Sequence, residues 1–101
     1  MTVQREDVPE MSNRLGIEGI EFIEYVTDQP QAFGQVLEAM GFVAVARHRS
    51  REVILYRQGD MNLVVNAHTE EARGAGDQPL LSAVAFRVTD ARLAHQRCLQ
   101  W

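Results

Sequence analysis

The sequence predicts an α+β fold: one βαβββ module followed by the first β-α pair of a second, truncated module. Three observations point there. Strand-like and helix-like periodicities follow one another as β-α-β-β-β, a polar linker, then β-α. A shift of 62 residues lays Val26-Thr27-Asp28 on Val88-Thr89-Asp90, each at a strand-to-helix junction, with Ala32 on Ala94 and Leu37 on Leu99. The second copy then reaches Trp101 without its last three strands. The expected organisation is a leader over 1–15, a first module over 16–68, a linker over 69–80 and the incomplete second module over 81–101.

The leader carries Pro9 among several charges and shows no sustained periodicity. Ile17 to Val26 has strand chemistry with imperfect alternation, as in a strand with one face buried and the other partly covered. Thr27-Asp28-Gln29-Pro30 starts a helix over 29–40: a short acceptor side chain can cap free N–H groups, and proline is tolerated in the first turn. Ala32, Phe33, Val36, Leu37 and Met40 form its apolar stripe, Gly34 weakens it modestly, and Gly41 ends it as a left-handed cap. Strands follow near 42–49, 53–58 and 61–67, the last two joined through Gln58-Gly59-Asp60 with Gly59 free to take positive φ. The polar stretch HTEEARGAGDQP is a linker. A strand near 81–88 and a helix over 90–100 close the chain, with Ala91, Ala94, Cys98 and Trp101 sharing one helix face.

Composition narrows the function classes. The 101 residues are 46% hydrophobic and 24% charged, too apolar for a disordered chain, and the net charge of −4 argues against nucleic acid or an anionic membrane as partner. All ten basic residues are arginine, which excludes Schiff-base lysine chemistry and a Walker-type phosphate loop. One cysteine forms no internal disulfide, no apolar run spans a membrane, and the N-terminus lacks a secretory h-region. A cytoplasmic protein is expected.

Several residues invite a sharper reading. Glu21 and Glu24 lie three apart on a strand and so point to opposite faces, which suits polar strand positions better than a catalytic pair. His48, His68 and His95 fall on a strand, a strand end and a helix, and nothing in their spacing asks them to converge on a metal. Arg47, Arg49 and Arg51, with Arg57 nearby, form the densest basic cluster; a solvated, aggregation-resistant edge accounts for it better than an anion site. Gly74-Ala75-Gly76 lacks the flanking strand and helix of a phosphate loop. Cys98 is expected to be packed and inert.

A βαβββ unit leaves one sheet face open, and two such units side by side curl into a ligand-holding cleft. The residues carrying this pattern are Gly19 to Tyr25, Met40-Gly41-Phe42, His48-Arg49-Ser50, Leu55 to Leu63 and Ala85 to Val88. Over roughly residues 14 to 101 they resemble the vicinal oxygen chelate superfamily, and within it the N-terminal half of bacterial 4-hydroxyphenylpyruvate dioxygenases. The resemblance implies a parent enzyme that uses non-haem iron(II), held by two histidines and a glutamate, to convert 4-hydroxyphenylpyruvate and O2 to homogentisate and CO2 in tyrosine catabolism.

In that family the iron site belongs to the C-terminal half, so the resemblance implies a non-catalytic, assembly role for this chain. The first-strand positions matching a metal-binding histidine are Glu21 and Ala83, and the last-strand position matching a glutamate is Asn62. Alanine has no donor, and a neutral amide is a poor ligand for iron or zinc. No residue here is therefore assigned a catalytic, cofactor-binding or metal-ligating role. The resemblance implies the C-terminal half as partner, and the uncovered sheet face with the unpaired strand near 81–88 predicts a second copy of the chain. Two rivals remain: a dimeric small-molecule binding module of the antibiotic-resistance kind, and the dioxygenase-like part of a fusion enzyme such as a dehydroshikimate dehydratase.

Overall fold

The computed structural model of the chain describes residues 12–68, 70 and 78–100. Its elements are β1 (Ile17–Val26), α1 (Pro30–Ala39), β2 (Val43–Arg47), β3 (Val53–Gln58), β4 (Met61–Asn66), β5 (Leu80–Val88) and α2 (Ala91–Leu99). Their order is the expected one. Most of the leader, most of the linker with its Gly74-Ala75-Gly76, and Trp101 lie outside the described residues.

The strands form one sheet in the order β2-β3-β4-β1-β5. β1 runs parallel to β4, with Ile23 opposite Leu63 and Tyr25 opposite Val65. β3 is antiparallel to both β2 and β4. Ser82 lies beside Glu24 and Arg87 beside Glu21, so β5 runs antiparallel to β1. Gln58 pairs with Met61 across a two-residue turn, and Gly59 at its first position has φ +58°, the sign a type II′ turn needs there. β2 ends at Arg47 and bulges between Ala44 and Ala46, so Arg49 and Arg51 belong to the following turn rather than to a common strand face.

Two compact units divide the chain. In the larger, Gly19–Arg87, the core is Leu37, Phe42, Tyr56, Leu63 and Val65, with Ile23, Tyr25, Phe33 and Ile54 packed against it. Tyr25 and Phe33 meet edge to face at 5.4 Å between ring centroids. The end of α1 is a Schellman motif: Phe42 N–H donates to Leu37 C=O, Gly41 N–H to Glu38 C=O, and Gly41 has φ +101°. Leu37 and Phe42 supply the hydrophobic contact that accompanies it, since both lie in the core cluster.

The start of α1 differs from expectation. Gln29 is the N-cap and makes no side-chain cap bond; Pro30 occupies the first helical position. Thr27 accepts from Gln29 N–H at 3.0 Å, one residue outside the helix, and its own N–H donates to Asn66 C=O. That places a buried hydroxyl in a turn, with its hydrogen bonding satisfied.

The inner face of α1 also differs. Val36 and Met40, counted in the apolar stripe, are 54% and 61% exposed, and Ala32 is exposed too. Gly34 and Leu37 are the buried helix residues. The helix is rotated because Gly34, with no side chain, lies against the Tyr56 hydroxyl and lets the tyrosine ring fill the space beneath it.

The smaller unit joins, among the described residues, 12–18 with 88–100. Asp90 caps α2 by accepting from Leu93 N–H at 3.1 Å, and Thr89 N–H donates to Gly16 C=O. The Asn13 side chain bonds both N–H and C=O of Ile17, and Arg97 donates to Arg14 C=O. α2 buries Ala94 alone among its residues, so Ala91 is exposed, and Cys98 is exposed rather than packed as expected.

Candidate functional site

The hairpin register decides which side chains meet. With Arg57 opposite Asn62 and Leu55 opposite Val64, alternation places Val53, Leu55 and Arg57 together with Asn62 and Val64 on the sheet face away from the core. There they line a hollow of about 420 Å³, completed by Phe22 and Glu21 from β1 and by Ala46, Arg47 and His48 from the end of β2. Phe22, Val53, Leu55 and Val64 form its half-buried apolar floor.

Two of the three positions matched to metal ligands therefore come together. Asn62 Nδ2 donates to Glu21 C=O at 3.1 Å, and Asn62 Oδ1 accepts from Arg57 Nε at 2.8 Å. The Glu21 carboxylate accepts from Arg87 Nε at 2.6 Å. Ala83 is not among the lining residues. An iron or zinc ion here would face one carboxylate already held by a guanidinium and one amide oxygen already bonded to another. The donor set does not fit such a metal. Among the described residues, no group of three or more His, Cys, Asp or Glu side chains is placed to hold one.

Glu21 accepts from Arg87 Nε, and Glu24 accepts from Ser82 Oγ at 2.8 Å. The three histidines stay apart in role as well as in sequence. His48 Nδ1 accepts from the N–H groups of Ser50 and Arg51, both at 3.1 Å, while His68 and His95 are exposed. Of the basic cluster, Arg47 and Arg57 reach the hollow and Arg49 and Arg51 do not.

A second hollow, of about 320 Å³, lies along α1 and is lined by Gly34, Glu38, Arg47, Glu52, Ile54 and Tyr56, with Pro30, Gln31 and Gln35 beside them. Tyr56 carries no functional signal in the sequence, although its alternation with Ile54 in a hairpin strand marks it as an inner-face residue. Burial pushes the Tyr56 pKa up, the Glu38 carboxylate adds to the rise, and Arg47 opposes it. A folded-state pKa above the unfolded one contributes stability that is present below about pH 10 and lost as pH rises through the folded value. Tyr56→Phe is expected to flatten the alkaline fall in melting temperature. Identical alkaline slopes for the two proteins in a circular-dichroism series would refute this.

A mixed sheet of this order, with a helix on one face and a hollow on the other, is an α+β module of the glyoxalase/dioxygenase type. The family described as "Hydroxyphenylpyruvate dioxygenase, HPPD, N-terminal" matches residues 11–101. This chain belongs to that family of N-terminal domains. It is 41% identical over 91 residues to a 4-hydroxyphenylpyruvate dioxygenase of Pseudomonas sp. (strain P.J. 874), covering 87% of this chain and 26% of the relative. It is 42% identical over 89 residues to a 3-dehydroshikimate dehydratase of Pseudomonas aeruginosa, covering 79% of this chain and 13% of that protein. Among solved structures, a xylose isomerase-like TIM barrel/4-hydroxyphenylpyruvate dioxygenase fusion protein superimposes with a TM-score of 0.73 at 37% identity, over 82% of this chain and 14% of the other. The chain thus spans about a quarter or less of the length of these relatives. No helix among the described residues is long and apolar enough to cross a membrane.

Proposed function

We propose that this chain is the N-terminal, non-catalytic module of a protein of the 4-hydroxyphenylpyruvate dioxygenase type, with a structural and assembly role. On this reading the parent is a cytoplasmic enzyme. Its iron(II) and its conversion of 4-hydroxyphenylpyruvate and O2 to homogentisate and CO2 belong to sequence outside this chain. The observation that carries the reading is the pairing inside the hollow: Glu21 with Arg87, and Asn62 with Arg57. A metal would have to displace two guanidinium groups to gain one carboxylate and one weak neutral ligand. Elemental analysis of the chain, purified without a histidine tag and dialysed, is expected to show no stoichiometric iron or zinc. Near-stoichiometric iron, lost in Glu21→Ala, would overturn the assignment.

A second reading is favoured by the dehydratase relative and by the fusion protein among solved structures. The module would then sit in a two-part enzyme acting on 3-dehydroshikimate. Assaying the full-length parent with 4-hydroxyphenylpyruvate and with 3-dehydroshikimate separates the two: homogentisate formation without dehydration supports the first, and dehydration supports the second.

A further inference from the structure

The hollow on the outer sheet face carries more than an abandoned metal position, because its acceptor groups, Glu21 and the Asn62 amide oxygen, are each already held by an arginine. Asn62 has spent both ends of its amide, donating to Glu21 C=O and accepting from Arg57 Nε. Glu21 is charge-balanced by Arg87 at 2.6 Å. The Arg57 guanidinium is held through Nε, and its two terminal amino groups make no other hydrogen bond among the described residues. They keep the fork that meets a carboxylate in two parallel bonds.

His48 adds to this. Its Nδ1 accepts from two backbone N–H groups, so in the neutral ring the proton sits on Nε2. With the ring neutral, both side chains therefore offer donors and no acceptor, from residues that line the hollow. Beneath them lies the apolar floor of Phe22, Val53, Leu55 and Val64. A volume of about 420 Å³ is within the range of small-molecule sites. A bare anion would leave the floor uncovered, and a neutral or cationic apolar molecule would leave the guanidinium fork unused.

We propose that this hollow binds a small organic carboxylate, its apolar body on the Phe22–Leu55–Val64 floor and its carboxylate on the terminal amino groups of Arg57. The site stands on its own geometry and does not rest on the assignment of the parent enzyme.

The test is an NMR titration of the 15N-labelled 101-residue chain with 3-phenylpropionate, its neutral analogue 3-phenylpropan-1-ol, and inorganic phosphate. The carboxylate is expected to give saturable shifts at the amides of Leu55, Arg57 and Val64. The alcohol should bind at least about tenfold more weakly, the loss of one charge-assisted pair. Phosphate should not move Leu55 or Val64. Arg57→Gln is expected to weaken carboxylate binding by about tenfold, while Arg49→Gln, the same charge change outside the hollow, leaves it unaltered. Absence of saturable shifts, equal binding of alcohol and carboxylate, a phosphate response at the floor, or equal effects of the two arginine variants would each overturn the proposal.

Discussion

Replacing Gly34 by alanine is expected to destabilise the chain by about 2 kcal/mol, on the order of 10 °C in melting temperature, despite the higher helix propensity of alanine. At an open helix position the same change stabilises by roughly 1 kcal/mol. Here the added methyl would overlap the Tyr56 hydroxyl and stand 3.3 Å from Cζ. The tyrosine ring is only 4% exposed and is fixed in a cluster with Leu37, Phe42, Leu63 and Val65, so it has little room to withdraw. The double variant separates this clash from a general loss of packing. Tyr56→Phe removes the overlapping oxygen and leaves the tight but tolerable contact with the ring. In the Tyr56→Phe background, Gly34→Ala is therefore expected to cost less than about 0.5 kcal/mol, giving a coupling above 1 kcal/mol across the cycle. Thermal and urea unfolding of the four proteins measure it. Additive effects would mean that the helix does not approach the sheet at Gly34.

That contact also shows where the sequence stops being readable. Element bounds were legible because each carries its own local chemistry: Pro30 opens α1, Gly41 closes it with positive φ, and Gly59 fixes the β3–β4 turn. The turn in turn fixes the register, and so the set of side chains around the hollow was in principle legible from Val53 to Val64 alone. The inner face of α1 was not. A glycine adds nothing to an apolar count, so the periodicity favoured Val36 and Met40 over the face that carries Gly34. The fate of Asn62 was half legible. Its weakness as a ligand follows from its chemistry and its bond from Arg57 lies within the hairpin, whereas its bond to Glu21 C=O depends on a partner in β1, forty-one residues away in sequence. Cys98 failed for another reason: a helical stripe states which residues share a face, not that anything covers it.

The 101-residue chain is expected to run as a dimer or larger species at micromolar concentration, held through the outer edge of β5. The two edges of the sheet are unlike. β2 is five residues long, bulged between Ala44 and Ala46, and ends in Arg47, the features that discourage edge pairing. β5 is nine residues long, and its Leu80, Leu81, Val84 and Phe86 are 42–59% exposed. Its inner edge pairs with β1, and among the described residues no strand pairs with its outer row of N–H and C=O groups. A second copy of β5 meets that row with the same apolar side chains, and a two-fold axis is the commonest way to close such a contact. Charge on the edge should break it at little cost to the fold, because the replaced side chains are exposed. Val84→Lys and Phe86→Lys are each expected to shift the chain to its monomer mass of 11.4 kDa, with far-ultraviolet circular dichroism unchanged. Light scattering after size exclusion, over a concentration series, reads both variants against the parent chain. A parent that stays at 11.4 kDa throughout the micromolar range would show that β5 carries its open edge without a partner.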